Sequence, residues 1–151
     1  MKHVIPLELV ELEEENYHLT VNSRFADGSE RLWVIDTGAS KTVFSLALSG
    51  HYKPLPVNED KVVKSAGIGS DHLETSPGIV HPFYLGNCRI PALKAALIDL
   101  SHINSLYYHA TEKEICGLIG SDFLVFYKAI IDYRKLQMVL TDRKEMNSVL
   151  S

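Results

Sequence analysis

Leu32-Trp33-Val34-Ile35-Asp36-Thr37-Gly38-Ala39-Ser40 decides how this chain is read. Four apolar residues in a row, two of them β-branched and one aromatic, favour a buried strand. That strand delivers a carboxylate, Asp36, directly into a tight turn. A carboxylate leaving water at the end of a buried strand is costly unless hydrogen bonds replace its hydration. The next residues suit that need. Gly38 has no Cβ, so its backbone can close on the acid and donate to it. Thr37 brings a hydroxyl, and the small Ala39 and Ser40 leave room beside the carboxylate. A bare Asp-Thr-Gly arises by chance in roughly one chain in twenty of this length, and its commonplace use is a turn capped by the Asp side chain. The rest of the chain has to discriminate.

On either side of this stretch the pattern is that of short strands. Val4 to Leu12 and Tyr17 to Ala26 alternate with period two, which places Leu7, Leu9, Leu19 and Val21 on one face. Asp27-Gly28 is a hairpin signal leading into Arg31 to Asp36. Thr42-Val43-Phe44 is short and β-prone, and Lys53 to Asn58, with two prolines, reads as a loop or edge segment. Lys61 to Thr75 reads as strand, glycine-containing tip and strand. Gly78 to Leu85 is one further strand, with Gly86-Asn87 as a turn. Ala95 to Leu100 is short and apolar, and Ser101 to His109 is a short helix with Ser101 as N-cap. Cys116 to Gly120 reads as a strand. Ser121 to Tyr127 reads as a short helix, with Asp122 in its first turn where a carboxylate suits the helix dipole. Ala129 to Asp132 and Leu136 to Leu140 close the chain as paired strands. The expectation is one mostly β domain with one or two short helices.

The bulk composition sets limits on partners. The chain has 151 residues, 46% hydrophobic and 23% charged, the profile of a globular domain able to bury a core without staples. A net charge of −4 argues against nucleic acid, because phosphate neutralisation needs a basic face. No stretch approaches the roughly 20 apolar residues of a membrane span. No signal-peptide run opens the sequence, so the expected location is cytoplasmic. Cys88 and Cys116 form no CxxC pattern and read as buried, reduced thiols. The seven histidines show no metal-ligand spacing, so neither a metal nor another cofactor is expected.

Two other stretches acquire meaning from their order. Ser65-Ala66-Gly67-Ile68-Gly69-Ser70 puts glycines at the tip of a hairpin, where a loop can open and close. Ile115-Cys116-Gly117-Leu118-Ile119-Gly120 is an apolar strand ending in glycine just before the second helix. Taken singly, each is an ordinary structural device. In the order Ile35-Asp36-Thr37-Gly38-Ala39-Ser40, Gly67-Ile68-Gly69, Leu118-Ile119-Gly120, the chain resembles the retropepsin-like aspartic proteases. The closing Ala129-Ile130-Ile131-Asp132-Tyr133 and Leu136-Gln137-Met138-Val139-Leu140 are similar to the endings of bacterial single-lobe members. The resemblance covers roughly residues 17 to 141 of the single domain.

The resemblance implies a closed β-barrel with a flap hairpin and an active site at a homodimer interface. It implies that Asp36 is the catalytic carboxylate, supported by Thr37, Gly38, Ala39, Leu118, Ile119 and Gly120. Gly38, Ser40, Gly67, Ile68 and Gly69 match positions that line the substrate cleft. The chemistry needs two aspartates and the sequence holds one Asp-Thr-Gly, so the second acid is expected from another copy of the chain. The implied activity is that of an endopeptidase acting on peptides or proteins. The alternative is a catalytically silent protease-like module that binds peptide or takes part in assembly. Ser40 departs from viral members, which carry Asp there, and the segment from Gly86 to Glu114, with His102, Tyr107, Tyr108 and His109, is longer than theirs. It is a candidate to shape a pocket or a dimer contact.

Overall fold

The structure, a computed structural model, describes residues 1–57 and 75–141. The elements in chain order are β1 (Lys2–Pro6), β2 (Glu8–Glu13), β3 (Asn16–Phe25), β4 (Glu30–Ile35), β5 (Val43–Ser45), a 3-10 turn (Ser49–His51), β6 (Tyr52–Pro54), β7 (Ser76–Val80), β8 (Phe83–Leu85), β9 (Cys88–Ile90), β10 (Leu93–Ile98), α1 (Ser101–Thr111), β11 (Ile115–Ile119), α2 (Ser121–Phe126), β12 (Ile130–Asp132) and β13 (Gln137–Thr141). The fold is mostly β with two helices, as its turn-punctuated apolar runs lead one to expect.

Ten strands form one sheet curled into a half-barrel, in the order β6-β7-β10-β5-β11-β4-β3-β8-β9, with β2 paired to β3. Among the described residues its hydrogen-bonded path ends at β6 and β9. A three-stranded sheet, β1-β13-β12, lies apart from this path. β4 is at the heart of the larger sheet, antiparallel to β3 and parallel to β11. Its alternating side chains serve two cores. Trp33 and Ile35 join the large cluster containing Phe25, Phe44, Phe83 and Ile119. Leu32 and Val34 join a second cluster with Val10, Val43, Leu100, Tyr107 and Ile115. An uninterrupted apolar run is what a strand covered on both faces requires. Trp33 has no exposed surface, stacks on Phe83 at 5.2 Å and donates its indole N–H to Ser23 Oγ at 3.0 Å.

The β3–β4 hairpin turns at Asp27-Gly28 as expected, and Gly28 needs its φ of 85°. Several boundaries differ from the sequence reading. Val4 to Leu12 is two strands, because the chain changes sheets at Leu7. β1 pairs with β13, β2 pairs with β3, and the Leu7 N–H donates to the Leu136 carbonyl between them. Leu9 pairs directly opposite Leu19, yet it is 39% exposed while Leu7, Leu19 and Val21 are buried. Gly78 to Leu85 is broken at His81-Pro82 into β7 and β8, since proline cannot donate to a ladder. The N-cap of α1 is Leu100 rather than Ser101, and it makes no side-chain cap; Asp99 Oδ1 accepts the Ser101 N–H at 2.9 Å in a turn that leads into the helix. Among the described residues β6, from the proline-bearing segment, is an edge strand. Cys88 and Cys116 are both buried and reduced. The expected hairpin with Gly67, Ile68 and Gly69 lies outside the described residues.

Candidate active site

β4 ends at Ile35, and Asp36 follows half-buried at the start of a turn whose Thr37, Gly38 and Ser40 are exposed. The Gly38 N–H donates to Asp36 Oδ1 at 3.0 Å, and the Ala39 N–H donates to the Asp36 carbonyl at 3.1 Å. The first bond explains the glycine. A Cβ on Gly38 would come within 3.3 Å of that same carboxylate oxygen.

β11 runs alongside β4, pairing Leu118 with Val34 and Ile119 with Ile35. Its end carries the turn. The Asp36 N–H donates to the Ile119 carbonyl at 2.9 Å, and the Ser121 N–H donates to the Ala39 carbonyl at 2.7 Å. Gly120 lies so close to the turn that a Cβ there would meet the Lys41 carbonyl carbon at 2.7 Å and the Ala39 oxygen at 2.9 Å. Both contacts are with backbone, so the glycine is required for close approach. Leu118, Ile119 and Gly120 are thus brought together with Asp36, Thr37, Gly38, Ala39 and Ser40.

Thr42 and Asp122 were not legible as site residues. Thr42 is fully buried. Its hydroxyl donates to Asp122 Oδ1 at 2.7 Å, its N–H donates to Asp122 Oδ2 at 3.1 Å, and its oxygen accepts the Gly120 N–H at 3.1 Å. Asp122 Oδ1 also accepts the Phe123 N–H at 2.8 Å. The carboxylate read as a partner for the dipole of α2 therefore also clasps the far end of the Asp36 turn. One side chain gathers the strand end, the turn and the helix start into a closed hydrogen-bonded corner.

Asp36 also lines a cavity of about 440 Å³ that extends from the turn toward α1, with Leu19, Val34, Ile103, Leu106, Tyr107 and Leu118 among its walls. The Tyr107 hydroxyl, whose ring is buried, is hydrogen-bonded to His18 Nδ1 at 2.9 Å. Burial pushes that phenol up to about 12, so it stays neutral. Of the long segment's aromatic residues, Tyr107 faces this cavity. Tyr108 and His109 line a second concavity with Asp99 and Glu114, and Leu106 contributes to the walls of both. Among the described residues no three His, Cys, Asp or Glu side chains stand together as a metal site, and no helix is long and apolar enough to cross a membrane.

Residues 19–123, from β3 to α2, match the family model described as aspartyl protease. The chain belongs to the aspartyl protease family. The match spans more than half the sequence and includes the Asp36 turn, the Gly120 corner and Asp122. A comparison with curated proteins finds no match. Among solved structures, the chain is similar to a retropepsin-like aspartic protease from Rickettsia conorii, at 15% identity and a TM-score of 0.47, over 93% of this chain and 90% of that one. The strands outside the matched range are β1, β2, β12 and β13. Of these, β1, β12 and β13 make up the separate three-stranded sheet.

Proposed function

We propose that the protein is an aspartic endopeptidase that works as a homodimer, with the Asp36 carboxylates of two copies facing each other across a two-fold axis. The observation that carries this reading is the Asp36 turn itself. One carboxylate oxygen is held by the Gly38 N–H, the turn is braced from beneath by β11, and Thr37, Gly38 and Ser40 form an exposed rim. The single lobe holds only one strand-Asp-Thr-Gly arrangement. A symmetric partner supplies the second acid.

Two carboxylates at such close range hold one proton between them, because both cannot carry charge cheaply. The unprotonated one takes a proton from a trapped water, and the water oxygen bonds to the scissile carbonyl carbon. The protonated one gives its proton to the carbonyl oxygen. Transfer of a proton to the amide nitrogen then lets the C–N bond break, releasing an acid and an amine with the dyad restored. Thr37 of each copy would tie the two turns together. Gly38, Ser40 and the 67–69 segment would line the cleft along an extended peptide bound as an added strand.

The test is cleavage of a mixed peptide library by purified protein at mildly acidic pH. Cleavage is expected in the parent chain, blocked by a statine-type inhibitor and abolished in Asp36→Asn. Equal cleavage by the Asn variant would end the catalytic reading, and a library bound but never cut would favour a silent peptide-binding module.

A further inference from the structure

We propose that the outer face of β3, β8 and β9 is a docking site for an acidic, extended stretch of another protein. That stretch adds to the free edge of β9 and sets a carboxylate against Arg89, with Tyr84 and Arg24 behind it. The site stands whether or not the chain is a peptidase.

Strand registers put four side chains in one row. Glu30 on β4 is opposite Arg24 on β3, Arg24 is opposite Tyr84 on β8, and Tyr84 is opposite Arg89 on β9. Residues directly opposite each other point to the same face of a sheet. Here that is the open face. Phe25, Phe83, Leu85, Cys88 and Ile90 are buried behind it, whereas Arg24 and Arg89 are exposed and Tyr84 is 38% exposed. The Arg24 guanidinium lies over the Tyr84 ring, 5.3 Å from its centroid. That contact holds the cation against the sheet, which lowers the ordering cost of meeting an anion. Neither arginine has an ion pair among the described residues. Glu30, the one acid in the row, accepts the Asn22 amide N–H at 3.3 Å instead. Two uncompensated guanidinium groups therefore share one row of a chain whose net charge is −4. Their strands are about 10 Å apart, so the field of Arg24 still reaches a group bound at Arg89.

The strand edge identifies the anion as part of a peptide. Among the described residues β9 ends the hydrogen-bonded path, and nothing pairs with its outer side. Its hairpin with β8 turns in two residues, and Gly86 at the first has a φ of 56°, as a primed turn requires. In such a hairpin the pair flanking the turn, Leu85 and Cys88, exchanges backbone hydrogen bonds, and the next pair, Tyr84 and Arg89, does not. The Arg89 N–H and C=O therefore point outward, free to take both bonds of an incoming residue. An acidic residue there lies directly across from the Arg89 side chain, whose planar fork matches a carboxylate. A free phosphate on Arg89 would leave this backbone edge unused. Glu30 is six residues before Asp36, about 20 Å along β4, so the docked stretch lies outside the Asp36 turn.

The probe is a blocked Thr-Glu-Val-Glu-Val-Thr peptide, titrated into the full chain carrying Asp36→Asn so that nothing cuts it. Backbone amide shifts are expected to move saturably at 83–85 and 88–90, and to stay still with a probe carrying Gln for Glu. Arg89→Gln is expected to weaken binding about tenfold or more, the scale of one charge-assisted pair. Arg24→Gln, acting through its field, is expected to weaken it about two- to fivefold at low salt and less at high salt. Methylation of alternate backbone nitrogens of the probe should abolish binding. Arg89→Glu should lose the glutamate probe and gain one with Lys for Glu, a gain that a misfolded variant could not show. Still amides at 83–90, equal binding of the Gln or methylated probe, or undiminished binding of the glutamate probe by Arg89→Glu would overturn the site. Inorganic phosphate matching the probe in shifts and affinity would leave an adventitious ion only. Shifts at β9 that appear on raising protein concentration alone would make the occupant a second copy. Either result also refutes the proposal.

Discussion

Breaking the bond between Thr42 and Asp122 tests whether the Asp36 turn is held from eighty residues away. Thr42→Val keeps the shape of a fully buried side chain and removes only its hydroxyl. Two bonds go with it. Asp122 Oδ1 loses a donor at 2.7 Å, a charge-assisted bond worth about 1.5–3 kcal/mol. The Gly120 N–H loses its acceptor, which costs about 1–3 kcal/mol for a buried unsatisfied donor. The extra methyl returns about 0.8 kcal/mol of apolar burial. The net loss is about 2–5 kcal/mol, a large share of the roughly 5–15 kcal/mol that holds a domain together. With a urea slope of about 2 kcal/mol per molar, the unfolding midpoint drops by about 1–2.5 M. Asp122→Ala strips the Thr42 N–H and the Phe123 N–H of their acceptor as well and should cost at least as much. Asp122→Asn rescues little, since its amide sets a donor against the Thr42 N–H. The decisive quantity is the coupling in the Thr42→Val/Asp122→Ala cycle, measured by urea unfolding. It should be about 1.5–3 kcal/mol, with the double variant much less impaired than the sum of the singles. Coupling below about 0.5 kcal/mol, the level of independent sites, would refute the clasp.

Gly120→Ala should cost about 1–3 kcal/mol, because the new methyl presses on Lys41 and Ala39 backbone that cannot swing aside. Peptidase activity per folded molecule should fall further than stability does, as the displaced atoms belong to the Asp36 turn; wild-type kcat/KM in a folded variant would contradict this. Tyr107 should ionise late, at about 12. Its proton is held more tightly in the fold than in the unfolded chain, so its contribution to stability is complete below pH 10, the ordinary phenol value, and is lost as pH rises toward about 12. Absorbance titration should show a late phenolate step that disappears in Tyr107→Phe; an identical titration curve in that variant would show that the ring is not buried.

Much of the site was legible because its signals are local. The run from Leu32 to Ile35 announces a strand buried on both faces, and the turn after it needs a glycine that can close on Asp36. Hairpin and turn residues such as Asp27-Gly28 and Gly86-Asn87 act within a few positions, so they too can be read directly. The illegible parts are those set by partners far along the chain. Nothing local to Thr42 or Asp122 signals that they bond, and nothing between Val4 and Leu12 shows that the chain leaves one sheet for another at Leu7. That change depends on β13 being present to receive β1. The cap of α1 was misplaced by one residue because Ser101 is a good capping type, whereas the backbone path from β10 starts the helix one residue earlier. The role of the long 86–114 segment could be narrowed to a pocket or a contact, but only the packing of Tyr107 and Ile103 beside Val34 orients it toward Asp36.

The most direct test of a shared site is a mixing experiment. A fixed amount of parent chain, at a concentration where association is complete, is equilibrated with rising amounts of Asp36→Asn chain, and peptidase activity is recorded. If each site needs one Asp36 from each copy, mixed dimers are dead. Activity should then fall to about half at equal amounts and about a quarter at threefold excess, following random pairing across a two-fold interface. Activity that stays constant at every ratio would mean that one chain suffices, and the paired Asp36 site would be wrong.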